Sequence, residues 1–134
     1  RYANDLTNEV THGMNRWIEW NAIVDTEGGP RHVPGGFGAP LVAKSDGSFE
    51  ELAGYQVIRE FASVIQPGAV RLGSSVYSRD IDAAAAQNPD GSIGVSIVSY
   101  TDAPKQIAIR LKGQICQTTI QGKGLIKVLI TVDK

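Results

Sequence analysis

Of the 14 Asp and Glu residues in the 134-residue chain, Asp80 and Asp82 have the spacing of a carboxylate pair. On a strand, positions i and i+2 share a face, but the same spacing also suits a solvated sheet face or a turn cap, and no catalytic pair is assigned to them. Metal chemistry has little to work with. His12 and His32 stand far apart with no local ligand cluster, a spacing that matches no standard zinc site. Cys116, the single cysteine, rules out an internal disulfide and reads as a small core residue in a strand. No cofactor is expected. Thirteen Lys and Arg leave a net charge of −1, without the basic stripe that nucleic acid or a membrane surface calls for. No apolar run is long enough to span a bilayer.

The elements that would position these residues change character along the chain. Tyr2, Leu6, Val10 and Met14 recur every four residues, the stripe of an amphipathic helix; His12 sits late in it, where the helix dipole favours a cation. The run Arg16-Trp17-Ile18-Glu19-Trp20-Asn21 suits a buried strand. Residues 25–38 carry Gly28, Gly29, Gly35, Gly36 and Gly38 and two prolines, a long irregular loop of the kind that carries function. Ser45-Asp46-Gly47, between Pro40–Ala43 and Ser48-Phe49, predicts a small hairpin. A second helix follows, with Glu50 and Glu51 at its N-terminus, an apolar face of Tyr55, Ile58, Phe61, Ala62 and Ile65, and a stop at Pro67-Gly68.

From Ala69 the period becomes two. Ile93, Val95 and Ile97, then Ile107, Ile109 and Leu111, then Ile126, Val128, Ile130 and Val132 each mark one face of a strand. Asn88-Pro89-Asp90-Gly91, Thr101-Asp102-Ala103-Pro104 and Gln121-Gly122-Lys123-Gly124 are turns. Ala83–Ala86 has helical propensity but is expected as strand, because the turn at Asn88 couples it to the next one. About five antiparallel strands result, a sheet or sandwich. Helix, strand, loop and helix before them look like the last unit of an α/β barrel. One central strand without parallel neighbours is no complete fold, so those neighbours are expected upstream of Arg1.

Three motifs in register carry a resemblance. Trp17-Ile18-Glu19-Trp20-Asn21 with Asp25 and Glu27-Gly28-Gly29-Pro30, then Tyr55–Arg71 around Phe61 and Ile65-Gln66-Pro67-Gly68-Ala69, then Asn88-Pro89-Asp90-Gly91-Ser92 before an apolar strand, are similar to segments of glycoside hydrolase family 30, the glucosylceramidase family. Glu19 stands where the family usually has Asp, Arg59-Glu60-Phe61 replaces Gly-His-Phe, Ser99-Tyr100 replaces Asn, and Gly35-Gly36 replaces bulkier loop residues.

The resemblance implies a fold of α/β plus all-β class: residues 1–67 are the C-terminal end of a (β/α)₈ barrel and residues 68–134 an antiparallel β-sandwich, to which strands from near the enzyme's N-terminus are added. It implies a retaining β-glycosidase acting on a β-glucoside, glucosylceramide, β-glucan or β-xyloside, extracytoplasmic, with both catalytic glutamates outside this segment. Trp20 would then stack on the apolar face of a sugar ring. Glu19 would contact substrate or a neighbouring cation. Asn21 would bond a hydroxyl or cap the strand end, and Arg31 and His32 would meet substrate or aglycone. Trp17 reads as core. A non-catalytic carbohydrate-binding module or a structural sandwich remains the alternative. Against the first, Tyr77 and Tyr100 are the only aromatics after residue 69.

Overall fold

The computed structural model describes residues 1–32, 35–36 and 38–131. Val132, expected to extend the last strand, lies outside the described residues, as do positions 33, 34 and 37 of the glycine-rich loop.

Two helices flank a small sheet and precede a larger one. Helix α1 spans Tyr2–Thr11, strands β1, β2 and β3 span Ile23–Asp25, Leu41–Ala43 and Phe49–Glu51, and helix α2 spans Ala53–Val64. Six strands follow: β4 Val70–Leu72, β5 Ile81–Gln87, β6 Ile93–Ser99, β7 Lys105–Leu111, β8 Gln114–Ile120 and β9 Gly124–Ile130. The hairpin expected around Asp46 is present as β2–β3, Ala43 opposite Phe49. Strand β1 adds to β2 in parallel.

The larger sheet runs β4-β5-β6-β9, all antiparallel, and β7-β8 forms a separate hairpin. Every residue of β6 is buried because both of its faces are covered. Ile93, Val95 and Ile97 meet Ile107, Ile109 and Leu111 of the hairpin, together with Ile126, Val128 and Ile130 of β9. Each such side chain taken out of water stabilises by roughly 1.5–3 kcal/mol. The opposite face uses small residues so that helices can approach. A Cβ at Gly94 would overlap the Val64 carbonyl. Thr7 and Ser96, both 0% exposed, place their hydroxyls 3.4 Å apart.

The alanines of β5 follow the same logic. Ala84 and Ala86 are 1% and 2% exposed, and partners on both edges override helical propensity. The turn into β6 is held by the Asn88 amide donating to the Ser92 carbonyl (2.8 Å) and by Asp90 Oδ1, which accepts from the Ser92 amide (2.9 Å) and hydroxyl (2.6 Å). Asn88 also reaches out of the turn. Its Nδ2 donates to the Val64 carbonyl (2.9 Å) and its Oδ1 accepts from the Gln66 amide (3.1 Å). It thereby ties the end of α2 to the sheet and joins two of the three motifs in space.

Five expectations are corrected. Residues 16–21 form no strand; the first strand begins at Ile23. A ladder needs a partner, and none of the described residues pairs with this segment. Glu50 and Glu51 belong to β3, held there by pairing with β2, and α2 starts at Ala53. Its buried residues are Phe61 and Val64, whereas Ala62 is exposed. Cys116 is exposed, because β8 is an outer strand bonded only to β7. Among the described residues six strands follow residue 69, where about five were expected.

Candidate functional site

Trp17–Asn21 and the loop after it lie between α1 and β2. Trp17 is half-buried and packs edge-on against Tyr2, ring centroids 5.7 Å apart at 76°. Tyr2 in turn needs Gly54 beneath it, since a Cβ there would come within 2.6 Å of the ring. The Trp17 side chain thus rests on the residue that packs α1 against α2. Ile18 and Trp20, by contrast, are each 81% exposed, an unusual state for an apolar run flanked by anchored residues.

Glu19 is half-buried. Its Oε1 accepts from the Trp20 amide at 2.9 Å, which turns the carboxylate back along the chain. Burial and a hydrogen bond with Glu19 push the Tyr2 hydroxyl above its ordinary range. Asn21 is half-buried, and its Nδ2 is a buried donor with no partner among the described residues, a state that costs free energy unless something supplies an acceptor.

The loop is more built than its glycines suggest. Asp25, the last residue of β1, closes a turn with four hydrogen bonds. Its Oδ1 accepts from the Glu27 amide (2.9 Å) and the Gly29 amide (2.8 Å). Its own amide donates to the Gly29 carbonyl (2.9 Å), and its carbonyl accepts from Gly28 (3.0 Å). The Gly29 amide, then that of Glu27, holds the Asp25 carboxyl below the usual carboxylate range. Arg31 folds back on the turn, Nη1 donating to the Glu27 carbonyl at 2.7 Å, with Nη2 3.8 Å from the Glu27 carboxylate. His32 is exposed. The structure therefore brings Glu19, Trp20 and Asn21 together in sequence order, whereas His32 lies beyond the Asp25 turn.

Asp80 and Asp82 take separate partners. Asp80 pairs with Lys105 at 2.7 Å. Asp82 Oδ2 lies 2.6 Å from the Tyr100 hydroxyl, which is also 2.6 Å from Asn4 Oδ1, and accepts from Asn8 at 3.3 Å. Burial first, then Asp82, pushes the Tyr100 hydroxyl up. These contacts fasten α1 to the sheet. Asp25 as a turn-closing group and Asn88 as a bridge were not assigned roles from sequence. An Asx residue two positions before the chain turns was the available signal for the first.

Fold and geometry together define a helix-backed antiparallel sandwich joined to a segment built around exposed aromatic and polar side chains. The β-sandwich is that of glycoside hydrolase family 30: residues 68–126 match the model of the glycosyl hydrolase family 30 beta sandwich domain. Putative glucosylceramidase 4 of Caenorhabditis elegans is 24% identical over 96% of this chain and 26% of its own length. Putative glucosylceramidase 2 of the same organism is 32% identical over 68% of the chain and 18% of its own. The lysosomal acid glucosylceramidase of Mus musculus is 25% identical over 81% and 22%. Two solved structures share the fold across 98% of this chain: SrfJ from Salmonella typhimurium, with a TM-score of 0.92 at 21% identity and 30% of its length covered, and the endo-β1,6-glucanase BT3312, with 0.86, 19% and 31%. The chain spans about a quarter of the length of the curated relatives it matches. Among the described residues, no helix is long and apolar enough to cross a membrane.

Proposed function

We propose that this chain is the C-terminal part of a retaining β-glycosidase, residues 1–67 ending its (β/α)₈ barrel and residues 68–134 forming its sandwich. The observation that carries the reading is the state of residues 16–21. Trp17 is anchored, Ile18 and Trp20 are 81% exposed, no described strand pairs with them, and the Asn21 amide has no acceptor. A flanking barrel strand from the rest of the polypeptide supplies what each of these lacks.

The sandwich has a matching gap. A cleft of about 860 Å³ opens between β5 and the β7–β8 hairpin, with Ile81, Ala83, Ile107 and Ile109 among its lining. A further strand from upstream fills it.

In this reading catalysis belongs to two glutamates outside the chain. They sit about 5–5.5 Å apart, one attacking the anomeric carbon and the other protonating the leaving oxygen and then activating water. This chain builds the wall. The Trp20 indole stacks on the sugar, Asn21 and Glu19 bond its hydroxyls, and His32 stands at the aglycone side. The substrate is a β-linked glucoside, glucan or xyloside. The full-length polypeptide is expected to hydrolyse aryl β-glucoside or aryl β-xyloside with the β-anomer as first product by NMR, and residues 1–134 alone to be inactive. A full-length protein inactive on β-glycosides, or one releasing the inverted anomer, overturns the proposal.

A further inference from the structure

We propose that Asp25 is a positioning residue for substrate binding, acting through the Glu27–Arg31 turn; the inference rests on the glycosidase reading above. Among the described residues, the Asp25 side chain is the only one that accepts from the backbone amides of this turn. Its Oδ1 accepts from the Glu27 and Gly29 amides at 2.9 and 2.8 Å, its carbonyl accepts from the Gly28 amide, and its own amide donates to the Gly29 carbonyl.

Neighbouring glycines are shaped to this clasp. A Cβ on buried Gly29 would fall 2.9 Å from the Asp25 carboxylate, and a Cβ on Gly36 would fall 2.9 Å from the Glu27 carbonyl. Both limbs of the loop therefore lie on the turn that Asp25 closes. That Glu27 carbonyl also holds the Arg31 guanidinium at 2.7 Å. With the turn closed, Arg31 is already held against it before substrate arrives, and its ordering is not charged against binding. With the turn open, the loop must order itself when substrate binds, which raises KM while leaving the chemical step to groups elsewhere.

The experiment uses the full-length enzyme with an aryl β-glucoside. Asp25→Ala raises KM about tenfold and changes kcat by less than about threefold. Asp25→Asn, whose amide oxygen can still accept both hydrogen bonds, keeps KM within about threefold of the parent. In the unsubstituted enzyme the Glu27 and Gly29 amides exchange slowly with deuterium. Unchanged KM in Asp25→Ala, an Asn variant as weak as the Ala variant, or fast exchange at both amides overturns the inference. If Asp25→Ala fails to fold, the exchange measurement decides. A parent enzyme inactive on every β-glycoside defeats the glycosidase reading instead, and slow exchange then still marks the clasp as present.

Discussion

Asn88 shows how much one side chain can hold. Its Nδ2 donates to the Val64 carbonyl and the Ser92 hydroxyl, its Oδ1 accepts from Gln66, and it is 3% exposed. Asn88→Ala strands buried groups at the end of α2 and in the turn. It is expected to destabilise the full-length protein by about 2–4 kcal/mol, read as a lower urea midpoint. Asn88-Pro89-Asp90-Gly91 was legible as a turn because those types bend the chain wherever they occur together. The bridge to Val64 was not, since the contact spans 24 positions and no local pattern encodes it. Trp20 divides the same way. An aromatic beside Asn21 is visible in the sequence, but its 81% exposure follows from what packs around it, which no local pattern records.

Strands with one wet and one dry face were read from their periodicity, β7 and β9 above all, because alternation is a local record of burial. Strand β8 escaped. Its residues Gln114–Gln117 are all exposed, so Ile115 and Cys116 leave no in-and-out pattern. Its partner turn hides as well: Lys112 and Gly113 both have positive φ, 47° and 83°, the requirement of a two-residue type I′ turn, yet Lys is not the residue such a turn prefers. Lys112→Asn relieves that mismatch and is expected to stabilise by about 0.5–1 kcal/mol, seen as a higher melting temperature. Glu50-Glu51 misled for the opposite reason. Two acids before a helix suit its N-terminus, but pairing of β3 with β2 claims them.

At the scale of the molecule, exposed Ile18 and Trp20 and the open cleft beside Ile81 and Ile107 are surfaces that a soluble body rarely leaves bare. Residues 1–134 expressed alone are therefore expected to aggregate, or to bind a hydrophobic dye strongly, and to become soluble when co-expressed with the upstream polypeptide that the glycosidase reading proposed above requires. Monomeric, dye-silent material would contradict this. Strand β6 gives the assembled protein another property. Ser96 on its helix side touches Thr7, the helix bearing Thr7 begins at Tyr2, and Tyr2 rests edge-on against Trp17. An unbroken line of touching atoms thus runs from the middle of the sheet to three residues short of the bare indole. The two halves have no slack at that seam to absorb a misfit. On the glycosidase reading proposed above, a methyl group too many at Ser96 would tilt the helix and shift the Trp17–Asn21 segment with it, so damage far from any chemistry would be felt as lost grip on the substrate.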